Sequence, residues 1–210
     1  MSEELTAKQY WGNPETAKEW LTRGQKVLDT VSEEINTDIQ SIPVFLKDVG
    51  KYYFKSALEV GAGNGRLIGA LSKEFEMIKC YSCDINLELS KYVASKYRKV
   101  SVATESVDII KMPFPDSSFD LVYTYQVLQH ISPEEINKAL DELLRVSKKE
   151  VWLMEGYDEP EHYSNGQRRK GTNGGTWSWF FDKMLDCYEV STPISEKLKS
   201  MGVRMYKIKK

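Results

Sequence analysis

From Ser56 onward the chain alternates short apolar runs with segments of helical periodicity. Ala57-Leu58-Glu59-Val60 stops at Gly61 and is followed by Leu67, Ile68, Leu71 and Phe75, spaced as on one helix face. The same texture predicts strands over 77–83, within 100–110, over 119–125 and over 151–155, with helices over 86–97 and 132–146 between them. Ser132-Pro133-Glu134-Glu135 reads as a capping box with proline at the first helical position. Residues 157–175 are polar and glycine-rich and predict the longest loop. An aromatic helix over 177–185 and strands over 188–191 and 203–208 follow it. Short strands alternating with helices imply a parallel sheet covered on both faces, with ligands beyond the carboxyl ends of its strands. Functional residues should therefore fall just after strands.

The segment before Ser56 is different. Ala17, Trp20, Leu21, Val27, Leu28, Val31 and Ile35 fit one helical face, with Asn13-Pro14 as N-cap and first helical residue. A shorter helix through Ile42 to Val49 ends at Gly50. The expected division is a helical cap or lid over 1–55 and a main domain over 56–210. Tyr10 and Trp11 either close over a ligand or simply pack.

Charge and cysteine usage narrow the function classes. A net charge of -2 over 210 residues argues against a nucleic-acid partner. No apolar run approaches the ~20 residues that cross a bilayer, and Met-Ser-Glu-Glu is no secretory signal. A reduced, cytoplasmic protein without a membrane partner is expected. Cys80 and Cys83 form a C-x-x-C, but no second ligand pair accompanies them, and residues three apart on a strand face opposite ways. They read as core thiols, and no metal site is expected.

Gly61-x-Gly63-x-Gly65 follows the first strand directly and opens a helix, a turn in which a ligand can approach backbone closely. Asp84 ends the second strand, 23 residues beyond Gly61, where a carboxylate can accept both hydroxyls of a ribose. Dinucleotide sites use G-x-G-x-x-G, yet here Arg66 holds the sixth position. Glu59, just before the loop, suits a cation better than a pyrophosphate. S-adenosylmethionine has a sulfonium, an ammonium and no phosphate.

Leu58-Glu59-Val60-Gly61-Ala62-Gly63-Asn64-Gly65-Arg66-Leu67 resembles motif I of the class I S-adenosylmethionine-dependent methyltransferases. The resemblance continues in Asp84-Ile85-Asn86, in residues 108–120 with their Pro113-Phe114-Pro115-Asp116 run, and in Val127-Leu128-Gln129-His130-Ile131. It covers about 56–155 and is closest to the methyltransferase type 11-like subgroup acting on small molecules. The family's L-x-P-G-G turn before the fifth strand is replaced here by Leu144-Arg145-Val146-Ser147-Lys148-Lys149. The resemblance implies an α/β, Rossmann-like doubly wound sheet of about seven strands, mostly parallel with an antiparallel C-terminal strand, plus the N-terminal helices. It implies that Glu59, Gly61, Ala62 and Gly63 line the methionine end of the cofactor and that Asp84 binds the ribose. Ile85 would pack on adenine, Asp108 and the Ile109 amide would meet its edge, and the backbone at Tyr125 and Gln126 would meet the aminoacyl group. S-adenosyl-L-homocysteine would be the product.

Acceptor chemistry is less marked. His130 is a candidate base or a fixture of the next helix. Glu155 ends the fifth strand and is expected to face the cleft, with Tyr157 a weaker candidate nearby. His162 lies in the long loop, and Arg168-Arg169-Lys170 would suit an anionic acceptor. Trp177-Ser178-Trp179-Phe180-Phe181 reads as helix core rather than a substrate wall, and Lys207, Lys209 and Lys210 read as a solvated tail. The expected activity is methyl transfer to an O or N atom of a small, in one reading anionic, metabolite. The rivals are a tRNA-modifying methyltransferase, a non-catalytic cofactor-binding partner protein, and a nicotinamide dehydrogenase.

Overall fold

The computed structural model describes residues 6–30, 37–156, 167–169, 176–193, 195–200 and 202–210. Its centre is a seven-stranded sheet of β1 (Ser56–Val60), β2 (Lys79–Cys83), β3 (Val100–Val102), β4 (Phe119–Tyr125), β5 (Ser147–Gly156), β8 (Glu189–Ser191) and β9 (Val203–Lys209), in the order β3-β2-β1-β4-β5-β9-β8. The pairs β1–β2, β1–β4, β2–β3 and β4–β5 are parallel, whereas β9 runs antiparallel to both β5 and β8. The order reverses at β1, which lies between β2 and β4, so the crevice at the carboxyl ends opens beside the glycine loop.

Alternation along the strands explains why both sheet faces are apolar. Leu58, Val60, Val122 and Leu153 face one layer, filled by Ile136, Ala139, Leu140, Leu143 and Val146 of α6 (Ile136–Val146) and by Phe181 of α7 (Phe181–Met184). Ala57, Leu121, Tyr123, Trp152 and Met154 face the other. Phe45 and Val49 of α3 (Thr37–Val49), Leu67, Ile68 and Leu71 of α4 (Arg66–Glu74), Val93 of α5 (Leu87–Lys96) and Leu198 of α8 (Glu196–Ser200) cover it. Two further helices, α1 (Ala7–Trp11) and α2 (Pro14–Thr30), precede this body. Asn13 Oδ1 accepts from the Glu15 amide at 2.9 Å, the cap that Asn13-Pro14 signals.

Several local expectations change. Helix α6 starts at Ile136, and the Ser132 carbonyl, rather than its hydroxyl, accepts from the Glu135 and Ile136 amides, so no capping box forms. The aromatic stretch splits: Thr176–Ser178 is strand β7, paired antiparallel with β6 (Gln167–Arg169), and only Phe181–Met184 is helical. Strand β6 lies inside the predicted loop, and the helix α8 has no counterpart in the sequence reading. Cys80 and Cys83 are buried in different layers, as opposite strand faces require.

Of the terminal lysines, Lys209 and Lys210 are exposed as expected, but Lys207 is not part of a solvated tail. Lys207 is 5% exposed, its Nζ lies 2.5 Å from Asp48 and 4.0 Å from the centre of the Trp152 ring. Burial alone would raise the Asp48 carboxyl, but hydrogen bonds from Lys207 and Lys51 outweigh it and hold the group below its ordinary range. Lys210 Nζ donates to the Leu144 and Ser147 carbonyls at 3.0 and 2.9 Å. Removing Asp48 strands the Lys207 charge between rings. Asp48→Ala is therefore expected to cost about 3–5 kcal/mol in urea unfolding, and a cost under about 1 kcal/mol would show the pair to be dispensable.

Candidate functional site

The glycine loop is built by the strands beside it. The Gly61 and Ala62 amides donate to the Cys83 carbonyl at 2.9 and 3.2 Å, which bends the chain leaving β1 across the end of β2. Gly61 has φ +70°, and a Cβ there would sit 2.6 Å from Val127 Cγ2, so both conformation and space demand glycine. Beyond the turn, Asp84 accepts from the Gly63 amide through Oδ2 and from the Asn86 amide through Oδ1, each at 2.8 Å. It is 7% exposed, and burial raises its carboxyl against the lowering effect of those amides.

Glu59 has a local task that the sequence did not signal. Its Oε2 accepts from the Ile68 amide at 2.9 Å and from the Tyr123 hydroxyl at 3.4 Å. Gly65, the residue before α4, has no side chain to cap that helix, so Glu59 supplies the missing acceptor from the neighbouring strand. Burial pushes its carboxyl up to about 8, with the Ile68 and Tyr123 hydrogen bonds opposing.

At the far side of the crevice, Ile109 is buried and Asp108 forms an ion pair with Lys8 of α1 while accepting from the Ile110 amide at 3.3 Å. The N-terminal helices cross over the opening. Asn86 Nδ2 donates to the Trp11 and Asn13 carbonyls at 2.7 and 2.9 Å, Trp11 meets His130 edge-on at 4.8 Å between ring centres, and Trp20 lies against Gly63. Asn86 belongs to the Asp84-Ile85-Asn86 motif with no role expected of it, and Lys8 belongs to no motif. Asn86 carried a usable signal, an N-cap residue two positions after a strand-end acid; Lys8 carried none.

These elements enclose a cavity of about 1010 Å³, large enough for a nucleoside cofactor together with a small second ligand. Glu59, Gly61, Ala62, Gly63, Asp84, Ile85, Asp108, Ile109, Tyr125, Gln126 and His130 all line it. Trp11, Trp20 and Trp177 complete its aromatic wall, so Trp177 faces the crevice from a strand instead of packing in a helix.

Glu155 is a correction. It is 1% exposed and does not line the cavity. Its Oε1 accepts from Thr124 Oγ1 at 2.7 Å and from the Val127 amide at 3.2 Å, and its Oε2 accepts from the Leu128 amide at 3.1 Å. The carboxylate thus points behind the loop that follows β4, away from any acceptor. Burial pushes it up to about 7 despite those donors. His162, Tyr157 and Lys170 lie outside the described residues, and of Arg168 and Arg169 only the backbone is described, paired with Trp177 and Thr176. Among the described residues no helix is long and apolar enough to cross a membrane, and no group of three His, Cys, Asp or Glu side chains is placed to hold a metal.

Glu59 and Glu155 make a pH prediction. Both carboxyls are raised from an ordinary 4.5, so between that value and about 7–8 the folded protein binds protons the unfolded chain has released. The stability they contribute is complete below the ordinary value and is lost as pH rises through the raised ones. Melting temperature should fall from about pH 5 to about pH 8.5, and Glu59→Gln with Glu155→Gln should flatten that slope. A wild-type profile already flat there would contradict it.

Residues 58–154 match the family model described as a methyltransferase domain. Phosphoethanolamine N-methyltransferase 1 of Triticum aestivum is 26% identical over 156 residues, 73% of this chain and 29% of that protein. The chain spans a third or less of the length of the first such relatives it matches. A TehB-like SAM-dependent methyltransferase from Corynebacterium glutamicum superimposes with a TM-score of 0.66 at 17% identity, covering 94% of this chain and 100% of that one. The cyclase SpnF superimposes with a TM-score of 0.72 at 14% identity, covering 97% and 96%. At such identities these two likenesses concern the fold.

Proposed function

We propose, from the match of residues 58–154 to the methyltransferase domain model and the resemblance of their motifs to the class I S-adenosylmethionine-dependent methyltransferases, that the protein transfers a methyl group from S-adenosylmethionine to an O or N atom of a small metabolite. The observation that carries this reading is the charge of the crevice. Its wall holds the carboxyls of Glu59, Asp84 and Asp108, and of the two cations named among its lining residues, Lys8 is paired with Asp108 and Arg66 Nε donates to Asn64. A phosphate would meet acids there and push the raised Glu59 and Asp84 higher still, whereas a sulfonium and an ammonium favour their ionised forms and are attracted to them.

In this reading Asp84 accepts from the ribose hydroxyls while still holding the Gly63 amide, and Ile85 and Ile109 flank the adenine. The Ile109 amide and Asp108 meet its edge, Asp108 sharing its carboxylate with Lys8 or giving Lys8 up. Glu59 and the backbone at Gly61–Gly63, Tyr125 and Gln126 surround the methionine end. The bound cofactor supplies an electrophilic methyl whose departure needs no proton donor. The chain's share is then to hold the acceptor atom in line and exclude water. Trp11, Trp20 and helices α1–α2 act as lid, and His130 is placed to take a proton from an acceptor that must lose one. The buried thiols Cys80 and Cys83 suit a reduced, cytoplasmic setting. The triplet Arg168-Arg169-Lys170 would recognise an anionic group on the acceptor, a reading favoured by the phosphorylated substrate named for the wheat relative.

Asp84→Ala should weaken S-adenosylhomocysteine binding by about 1.5–3 kcal/mol in calorimetry while circular dichroism stays native. Unchanged affinity in a folded variant would sink the ribose assignment. Methyl-labelled cofactor incubated with a cell extract tests the reaction itself. Label in a small-molecule product is expected. Label in tRNA would establish the modifying-enzyme rival, and cofactor binding without any labelled product would make the chain a non-catalytic partner. Once the product is known, Arg168→Ala with Arg169→Ala should raise KM for an anionic acceptor and leave cofactor affinity alone; an unmoved KM would reduce the triplet to a solvated strand.

A further inference from the structure

Four parts of the site meet on one short segment, residues 126–130. Val127 packs on Gly61 of the glycine loop. His130 meets Trp11 of the lid helix α1. The Leu128 carbonyl accepts from Trp179 Nε1 at 2.7 Å, which ties in the stretch just after β7. Gln126 itself lines the crevice at φ +54°, a left-handed conformation that a non-glycine residue adopts only when its surroundings impose it. What imposes it lies on the neighbouring strand. The Gln126 amide donates to the Met154 carbonyl at 2.8 Å, and the next residue, Glu155, takes the Val127 and Leu128 amides together with the Thr124 hydroxyl.

A carboxylate is an odd choice for packing alone. Glu155 is 1% exposed at the end of a strand whose other inward residues, Val151 and Leu153, are apolar. Burying a charge there costs several kcal/mol unless its donors are complete, and an apolar side chain of similar volume would usually stabilise as well or better. What the carboxylate adds is direction: it orients consecutive amides that no helix or strand partner would otherwise fix. We infer that Glu155 is the positioning residue of the segment after β4, holding residues 126–130 so that Gln126 faces the crevice at the methionine end and His130 faces it at the acceptor. The inference rests on the proposed function only in naming those two ends; the hydrogen-bonded arrangement is independent of it.

Glu155→Gln has the same shape but offers a single acceptor oxygen and turns an NH2 group toward amide donors. Amide hydrogen exchange on the whole chain separates local from general effects. At Val127 and Leu128 exchange should speed up by roughly 10- to 100-fold, while at Ile68 and Gly63, whose amides go to Glu59 and Asp84, it should stay within about threefold. S-adenosylhomocysteine affinity should fall less than catalysis does, because Glu155 reaches the methionine end of the cofactor only through the Gln126 backbone, whereas methyl transfer from labelled cofactor into the small-molecule fraction of an extract should fall by roughly tenfold or more. Thr124→Val, which removes one donor and keeps the carboxylate, should produce the same local pattern to a smaller degree. It carries the test if Glu155→Gln does not fold. Unaltered exchange at Val127 and Leu128, or acceleration shared by all four amides, overturns the inference. So does methyl transfer kept at the wild-type rate. If the wild type itself transfers no label, the proposed function fails and the exchange measurements still decide the role of Glu155.

Discussion

Buried carboxylates at the ends of parallel strands need a complete set of donors, and the loops of this protein are arranged to supply them. Glu59 near the end of β1 takes an amide of α4, Asp84 after β2 takes one from the glycine loop and one from Asn86, and Glu155 near the end of β5 takes two from the segment after β4. Asp84 and Glu155 each join a strand end to the loop after a neighbouring strand, and Glu59 ties β1 to the helix that follows it, so the three acids stitch the crevice together from its floor. An unsatisfied acid at any of these points would cost more than most side-chain contacts return. The loops are therefore held where the acids need them, and the ligand-facing geometry follows. The opposite ends of the strands use the same device once: Asp120 accepts from the Lys55 amide at 2.7 Å and from Lys149 at 3.0 Å.

The floor also sets the electrostatic character of the cavity. Glu59 and Asp84 come through the sheet from within and cannot turn away, whereas Lys8 arrives on a surface helix and is 57% exposed in its side chain. Fixed acids below and a movable cation above make a site that can give up Lys8 but not its acids, and a bound cation would favour the ionised form of the raised Glu59 and Asp84. Asn86 links the two levels, since its amide is held by Asp84 while its side chain holds the backbone at Trp11 and Asn13. Asp84, two residues before Asn86, is thus coupled to the backbone between α1 and α2.

Much of this was legible in the chain because it depends on local spacing. Gly61, Gly63 and Asp84 follow strands at intervals set by one strand-helix-strand unit, and all of them line the cavity. Glu155 was legible as a strand-end acid, but its direction was not: strand periodicity gives the face of a residue, and only the β4–β5 register brings Thr124 beside it to take the carboxylate inward. Trp177 departs from the helix its surroundings suggest because four aromatics in five residues suit a helix face and a strand equally, and the pairing of Arg168 with Trp177 decides between them. Lys207 resembled a solvated tail because its partner Asp48 lies 159 residues earlier in the sequence, on α3. The C-terminal hairpin β8–β9 and the glycine loop were visible for the opposite reason, as each is closed by near neighbours.

The proposed binding of a phosphate-free, cationic nucleoside over a floor of fixed acids can be measured. Calorimetric titration of the wild-type chain with S-adenosylmethionine and, separately, with NADH under the same buffer and salt tests it directly. Saturable binding of one S-adenosylmethionine per chain is expected, with no heat of binding from NADH at the same concentrations. NADH binding as tightly as S-adenosylmethionine, or in its place, would contradict it.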